Sequence, residues 1–330
     1  MEEVFILPQP KLCRAHGIET EAPAEGQPKF FYWQKKIDKL SKRRLSWEEF
    51  LKGTPIQKHP ALRIPTSKTG DTLLHLSILQ SKTEHIQILG RDPVLKIQRN
   101  QYGLTALELA EFLGRKKEAQ LLQPALETNF CHAPNVSIPP RESSHFENLE
   151  YLPRPVFENE EILKEVFEKT KKAKEADLIS PEKIWMGIYF DKEIRQAFHP
   201  AVSVRYIDEK VGFGAFADER IPSCSFVGEY TGVITLRNQS HIHDNHYSVR
   251  YTVWDMLEKK YVLDGKKMGN YTRFINHSEK PNLSLQAIYW RGLPRMIFVA
   301  LREIREGSQL TFDYGPLFWK QCCQIPKPIG

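Results

Sequence analysis

Polar side chains are unusually dense in one short segment of this 330-residue chain. Arg273, Asn276, His277 and Ser278 lie around the apolar Phe274. Guanidinium, amide, imidazole and hydroxyl groups that are buried must each find a hydrogen-bond partner. The segment therefore predicts a buried polar network.

Three further motifs are found in the same part of the chain. Gly212-Phe213-Gly214 sets two glycines around an aromatic ring, so that the backbone could approach a ligand closely while the ring packs beside it. A plain hairpin turn would use the same pattern. The two others predict strands that end in an aromatic hydroxyl: Gly228–Gly232 contains Tyr230, and Gly307–Gly315 contains Tyr314.

Together and in this order, the four motifs resemble the SET domain, the fold of most protein-lysine methyltransferases. The resemblance covers roughly residues 200–316, and its most specific parts are R-F-I-N-H-S and L-T-F-D-Y-G. With the stretch from Trp185 and the Phe318-Trp319 tail included, the chain looks most similar to SET proteins of chlamydia-type intracellular bacteria. The resemblance implies a mostly-β fold in which these two parts meet through a knot-like threading.

The resemblance also implies S-adenosylmethionine as cofactor and assigns residues to it. In SET enzymes the G-x-G loop lies along the cofactor, the R-F-I-N-H segment holds it by hydrogen bonds, and a tyrosine after the variable insert meets its amino-acid end. The cofactor-binding residues implied here are Gly212, Phe213, Gly214, Tyr247, Arg273, Phe274, Asn276, His277 and Trp319.

Two tyrosines match the catalytic positions of SET enzymes. Tyr314 would orient the substrate lysine amine and the methyl group, and Tyr230 would be a second tyrosine of the substrate channel. An apolar channel favours the neutral amine over the ammonium form. Phe312 stands where a family member has Phe or Tyr, and Phe leaves room for further methyl groups, so we expect di- or trimethylation.

Some departures from the family affect metal binding. Many SET enzymes have a cysteine after N-H-S that joins a later C-x-C to bind zinc, whereas this chain has Glu279 there and Gly315-Pro316-Leu317-Phe318-Trp319 at the later site. We therefore expect no zinc, with Phe318 or Trp319 covering the cofactor or channel. His241, His243 and His246 lie in a polar insert without other ligands, which favours a solvated loop.

The elements that must position these residues are short strands after residue 200. The predicted strands are Val202–Tyr206, Ser225–Thr231, Lys260–Leu263 and Arg295–Leu301. Before them, Glu158–Lys174 reads as an exposed amphipathic helix, and a second helix begins after Ser180 with Pro181 in its first turn.

An internal repeat lies in the N-terminal half. Residues 70–77 recur as residues 103–110, and 33 residues separate the two G-x-T-x-L patterns. A threonine caps the first helix of each unit, while Leu74 and Leu107 are predicted to point into the stack. The pattern resembles the ankyrin repeat, and it offers either a protein-binding surface or a brace for the neighbouring domain.

The fold class predicted is α+β and multidomain, with N-terminal α-helical ankyrin-like repeats and a C-terminal mostly-β SET fold of knot-like topology. Two repeats are fewer than the roughly three that an array usually needs, so the helical pattern before them is expected to act as a cap. The predicted parts are a flexible tail at 1–29, the cap at 30–66, ankyrin-like repeats at 67–127, a proline-rich linker at 128–156, a helical region at 157–199 and the SET domain with its tail at 200–330.

Composition sets wide limits on partners and location. The net charge of +6, with a run of basic residues between Lys35 and Arg44, fits either a nuclear-import signal or a solvated helix face. Five scattered cysteines without C-x-x-C indicate a reducing compartment. No apolar run suits a membrane span or a Sec signal, so we expect an intracellular protein of the bacterial cytoplasm or one delivered into a host cell, where it could reach the nucleus.

Three classes of function remain open from the sequence. The first is an enzyme that methylates lysines of a basic protein, such as a histone or a histone-like protein. The second is a catalytically inactive scaffold whose ankyrin and SET surfaces only bind proteins. The third, a nucleic-acid-binding protein, rests on net charge alone because the chain contains no recognised binding motif.

Overall fold

A computed structural model describes residues 27–123, 135–138, 146, 148–237, 245–252, 254, 261–316 and 318. By their internal contacts the residues fall into two units, Met1–Ala110 with Lys116–Pro124, and Glu111–Arg115 with Ala125–Gly330. Within the described ranges, no helix has the length and apolarity that crossing a membrane requires.

The N-terminal part is helical, as its sequence pattern predicts. Its helices are α1 (Pro28–Ser41), α2 (Trp47–Leu51), α3 (Leu73–Leu79), α4 (Thr83–Leu89), α5 (Pro93–Ile97), α6 (Ala106–Phe112) and α7 (Lys116–Gln120). The first two are amphipathic, and Ile37, Leu40 and Phe50 are almost fully buried. A capping box at Ser46 fixes the start of α2, because the Ser46 hydroxyl and the Glu49 carboxylate each accept a backbone N–H of the other residue.

The repeat of the sequence is also a repeat of helices. Helices α3 and α4 begin at Leu73 and Thr83, and α6 and α7 begin 33 residues later, at Ala106 and Lys116. Leu74 is fully buried as predicted, whereas Leu107 is half-buried, so its predicted place in the stack stays a prediction. The observed period agrees with the sequence period, whereas the ankyrin assignment stays a prediction.

A buried histidine joins the two repeats. His75 Nδ1 lies 2.8 Å from Thr72 Oγ1, and its Nε2 lies 2.9 Å from the carbonyl oxygen of Leu104. Because that carbonyl can only accept, Nε2 carries the proton and Nδ1 accepts from the threonine. Burial lowers the pKa of His75, which favours this neutral form.

The first secondary-structure elements of the second unit are short strands and helices. They are β1 (Val136–Ser137), β2 (Glu150–Tyr151), β3 (Val156–Phe157), α8 (Glu160–Glu175), α9 (Pro181–Tyr189) and α10 (Asp191–Gln196). Helix α8 is amphipathic as predicted, because its apolar side is buried at Ile162, Leu163, Val166 and Phe167 while Lys171, Lys172 and Lys174 are exposed. The proline-rich stretch predicted as a linker contributes strands to this unit, which its composition did not indicate.

The rest of the unit consists of strands arranged in small sheets. They are β4 (Val202–Asp208), β5 (Gly212–Ala217), β6 (Phe226–Glu229), β7 (Val233–Leu236), β8 (Ser248–Arg250), β9 (Tyr261–Asp264), β10 (Met268–Gly269), β11 (Asn276–His277), β12 (Leu283–Trp290), β13 (Leu293–Ala300) and β14 (Thr311–Phe312). Each of the predicted strands overlaps an observed one, but several other strands were not predicted, among them β7 and β12.

The sheets follow a simple set of pairings. The orders are β1-β4-β5, β12-β13-β6, β3-β7-β9-β8, β10-β2 and β11-β14. The pairs β4-β5 and β12-β13 are antiparallel hairpins, whereas β11 and β14 are parallel and are separated in the sequence by the β12-β13 hairpin. The parallel pair therefore brings two distant motifs together, while the knot-like threading stays a prediction.

Candidate active site

The polar segment is attached to strand β6 by side chains that precede it. A 3₁₀ turn at Tyr271–Phe274 begins after Asn270, whose Nδ2 donates to the carbonyl oxygen of Glu229 at 2.9 Å. The Tyr271 hydroxyl donates to the carbonyl oxygen of Val227 at 2.6 Å. Both side chains are buried, so the turn has a fixed position relative to the strand that ends next to Tyr230.

Two distant parts of the sequence then run side by side. Strand β11 pairs in parallel with β14. Asn282 extends this pairing, because its Oδ1 accepts from Thr311 N at 2.9 Å and its Nδ2 donates to the carbonyl oxygen of Gln309 at 2.8 Å. A buried amide that bonds at both ends fixes the register of the segment it faces.

Tyr314 follows β14 and reaches back to the polar segment. Its hydroxyl donates to the carbonyl oxygen of Ile275 at 3.1 Å, and its backbone N–H donates to His277 Nδ1 at 3.2 Å. The ring meets Phe312 and Phe318 at centroid distances of 4.8 and 4.6 Å. Burial raises the pKa of Tyr314 above its ordinary value, so its hydroxyl keeps the proton at physiological pH.

Tyr230 is buried in the same region. Its hydroxyl donates to the carbonyl oxygen of Tyr247 at 2.7 Å. Burial raises the pKa of Tyr230, and the nearby Tyr314 and Tyr247 add to this increase. The positive charge of Arg273 lowers the pKa by less than burial raises it. The Arg273 guanidinium lies over the ring of Tyr247, 4.2 Å from its centroid. Three residues that were predicted separately, Tyr230, Tyr247 and Arg273, are therefore neighbours.

An aromatic row connects the two channel residues predicted from the sequence. The ring of Phe298 lies 5.0 Å from that of Phe312 and 6.4 Å from that of Tyr230. Phe298 is fully buried on β13. Its position in an apolar strand gave no signal in the sequence that it would support the site.

The G-x-G motif meets the polar segment through a backbone contact. Asn276 Nδ2 donates to the carbonyl oxygen of Phe213 at 3.0 Å. The Phe213 ring lies against Phe274 and Phe146, at 6.2 and 4.9 Å. Phe146 was not predicted as a site residue because it falls in the proline-rich stretch.

Residues 212–315, which contain all of these motifs, match the SET domain family. This part of the chain is a SET domain. The similarity extends to named relatives, of which the chain covers only a part.

Among the relatives is the histone-lysine N-methyltransferase SUV39H1 of Xenopus laevis, 37% identical over 111 residues that make up 31% of this chain and 26% of the relative. The histone-lysine N-methyltransferase ash1 of Drosophila melanogaster is 32% identical over 149 residues, which are 41% of this chain and 6% of that protein. The chain thus spans less than a third of the length of either relative.

A solved structure is also similar. It is the crystal structure of KRYPTONITE in complex with mCHH DNA, an H3(1-15) peptide and SAH. The two chains are 30% identical, and the match covers 36% of this chain and 24% of that chain with a TM-score of 0.30.

The residues of the SET domain fit a cofactor such as S-adenosylmethionine on two observations. A Cβ added at Gly212 would meet nothing within 4 Å, whereas one added at Gly214 would lie 2.8 Å from Gln309 Nε2 and 3.2 Å from Asn276 Nδ2. Within the described residues, the buried Arg273 Nε and Gln309 Nε2 have no hydrogen-bond partner. Open backbone and unsatisfied buried donors suit a polar ligand that carries a carboxylate.

Several predictions concern residues outside the described ranges. Trp319, His241 and His243 are among them, and so are all the cysteines except Cys224, which is exposed. In the part of the chain that is described, no three His, Cys, Asp or Glu side chains are grouped to hold a metal ion. The expectation of no zinc stays a prediction.

Proposed function

We propose that this protein is an S-adenosylmethionine-dependent protein-lysine N-methyltransferase. The observation that carries the proposal is the assembly around Tyr314, whose hydroxyl and backbone N–H contact Ile275 and His277, 39 and 37 residues away in the sequence. The names of the SET-domain relatives agree with this activity.

The cofactor would lie between the glycine-rich strand and the polar segment. When bound, S-adenosylmethionine supplies a methyl group on a positively charged sulfur. Arg273 would hold its carboxylate beside Tyr247, and the Phe213 backbone, steadied by Asn276, would line its length. Phe274, His277, Gly212 and Gly214 complete the proposed binding surface, together with Trp319.

Tyr314 and Tyr230 would orient the lysine rather than take its proton. Because burial raises the pKa of each phenol, both remain neutral near pH 7. Each hydroxyl already donates its hydrogen to a backbone carbonyl, so its oxygen is available to accept an N–H of the amine. The amine must therefore arrive neutral, which an apolar channel favours, and alignment provides most of the rate increase.

Phe312 would set the number of methyl groups. Its ring packs between Phe298 and Tyr314, and it brings no hydroxyl that could hold a water beside the amine. We expect the wild type to give di- and trimethyllysine and Phe312→Tyr to give mainly monomethyllysine, as mass spectrometry of the product peptides would measure. Equal product distributions would remove Phe312 from this role.

The substrate we propose is a basic protein such as a histone or a histone-like protein. The repeats would be ankyrin-like and provide either a protein-binding surface or a brace, with the SET domain and its tail occupying residues 200–330. A protein of this kind would suit a chlamydia-type bacterium and act in its cytoplasm or in a host cell.

The test is a pair of measurements on the full chain. Calorimetry would report binding of S-adenosylhomocysteine, and transfer of labelled methyl from S-adenosylmethionine would be followed on core histones and on a bacterial histone-like protein. The proposal expects binding and label on lysine. Failure of the wild type to bind the cofactor would instead support the inactive scaffold. Arg273→Ala, which lacks the proposed contact with the cofactor carboxylate, is the negative control for binding.

A further inference from the structure

Positive charge is concentrated in the helical part of the chain. Residues 27–110 and 116–123 contain 17 Lys and Arg against 8 Asp and Glu, a formal charge of +9, whereas the whole chain carries +6. Strong charge asymmetry within one chain points to a polyanionic partner more than a modest overall charge does.

Helix α1 and the turn after it contain the densest run of this charge. The basic residues between positions 29 and 44 are Lys29, Lys35, Lys36, Lys39, Lys42, Arg43 and Arg44. The single acid among them is Asp38, whose carboxylate accepts from Ser67 N at 2.9 Å and from Ser67 Oγ at 2.6 Å. That carboxylate is therefore directed at a serine and is not paired with a neighbouring cation.

Five of these cations are exposed, three on α1 or its cap and two in the turn that follows, and we call them the α1 basic stripe: Lys35, Lys39, Lys42, Arg43 and Arg44. Spacings of four and three residues align the three lysines along one side of the helix. Within the described ranges, no carboxylate forms an ion pair with any of the five. Two exposed aromatics, Phe31 and Tyr32, lie at the N-terminal end of the same side.

The stripe is held on a rigid base. Ile37 and Leu40 on the opposite side are fully buried, and Gln80 Nε2 donates to the carbonyl oxygen of Leu40 at 2.9 Å. The turn closes where Arg44 N donates to the carbonyl oxygen of Lys39 at 2.8 Å. Cations with fixed backbone positions lose less freedom on binding a stiff, regularly charged partner.

Stabilisation of the helix explains only part of this arrangement. Cations in the last turn complement the negative end of the helix dipole, and this accounts for Lys39 and its successors. Lys35 lies in the middle of α1, where the dipole gives it no such role.

We propose that the α1 basic stripe binds the phosphate backbone of duplex nucleic acid without sequence preference. Duplex DNA carries one negative charge per about 1.7 Å of its axis, so a line of cations over successive helical turns can contact several phosphates at once. This binding goes beyond methyl transfer and does not depend on it.

The test uses the full chain and a fluorescent 30-base-pair duplex of arbitrary sequence. Anisotropy titrations between 50 and 200 mM salt should give binding whose logarithmic salt slope is about −4.5 for five contacts. The triple variant Lys35→Glu/Lys39→Glu/Lys42→Glu should weaken binding at least about tenfold. Its matched control is Lys171→Glu/Lys172→Glu/Lys174→Glu on α8, three exposed lysines with the same change of net charge.

Three outcomes would overturn the proposal. One is a dissociation constant weaker than about 10⁻⁴ M for the wild type at 50 mM salt. Another is an equal loss in the α1 and α8 variants, both shown to be folded by circular dichroism, since net charge alone would then explain binding. The last is binding to vesicles of phosphatidylserine and phosphatidylcholine by a protein that does not bind the duplex.

Discussion

The helical part and the SET domain bury different kinds of titratable group. In the helices these are histidines, and burial lowers the pKa of His59, His75 and His85. In the SET domain they are tyrosines, and burial raises the pKa of Tyr230 and Tyr314, as it does for Tyr251 and Tyr271.

The difference has opposite consequences at the two ends of the pH scale. A buried neutral histidine contributes stability above its unfolded pKa of about 6.5, and this stability is lost as the pH falls. A buried neutral tyrosine contributes stability below about pH 10, and this is lost as the pH rises. We therefore expect acid to weaken the helices first, although the second unit has one histidine of the same kind, His199, just before the SET domain.

The largest effect is expected at the buried ion pair of the SET domain. Glu229 and Arg295 are 5% and 1% exposed and form a bidentate pair. Glu229→Gln leaves the guanidinium charge uncompensated and should lower the free energy of unfolding by about 3–5 kcal/mol in urea titrations. Glu229→Leu/Arg295→Met should recover most of the loss.

A surface pair provides the control for this experiment. Arg220 and Glu303 are paired but largely exposed, so Glu303→Gln should leave the transition in place. If both single substitutions had the same small effect, the buried pair would not be a stabilising contact of the SET domain.

Acid sensitivity of the helices is the next effect. His75→Gln keeps a polar group but removes the titration, so the midpoint of thermal unfolding should depend less on pH between 5 and 7.5 than that of the wild type. At pH 7.5 the variant should lose about 1–3 kcal/mol, because the bonds to Thr72 and Leu104 change. Circular dichroism melts measure both, and identical pH slopes would contradict the contrast between the two parts.

Helix caps give the smallest effect. Thr72 and Thr105 accept the backbone N–H groups of His75 and Glu108, so replacing either by alanine should cost about 1 kcal/mol. Ser180 before α9 makes no side-chain cap bond, and Ser180→Ala should cost nothing measurable. A loss at Ser180 that equals the loss at Thr72 would show that the caps do not distinguish the helices in this way.

The helical part could be predicted well because its signals are local. The repeat period, the helix caps and the spacing of apolar residues can all be recognised within each 33-residue unit. The helices of the second unit begin 33 residues after those of the first. Burial is less predictable than the period, since Leu74 is fully buried and its repeat counterpart Leu107 only half-buried.

The site of the SET domain could be predicted only through its motifs. Residues within the four motifs were named, but their contacts join partners such as Tyr314 and Ile275 that are 39 residues apart. Supporting residues outside the motifs, among them Phe146, Phe298 and Arg295, were missed. From the sequence alone, an apolar or ion-paired residue that supports a site cannot be distinguished from one that only packs in the core.

The most direct measurement compares methyl transfer by the wild type, Tyr314→Phe and Tyr251→Phe. Tyr251 is buried and Tyr314 half-buried, and both donate to backbone carbonyls, Tyr314 to Ile275 and Tyr251 to Pro294, but only Tyr314 lies among the SET motifs. Labelled S-adenosylmethionine and histone substrate should give a rate that falls at least about 100-fold in Tyr314→Phe and is nearly unchanged in Tyr251→Phe. Equal rates in wild type and Tyr314→Phe would contradict the proposed site.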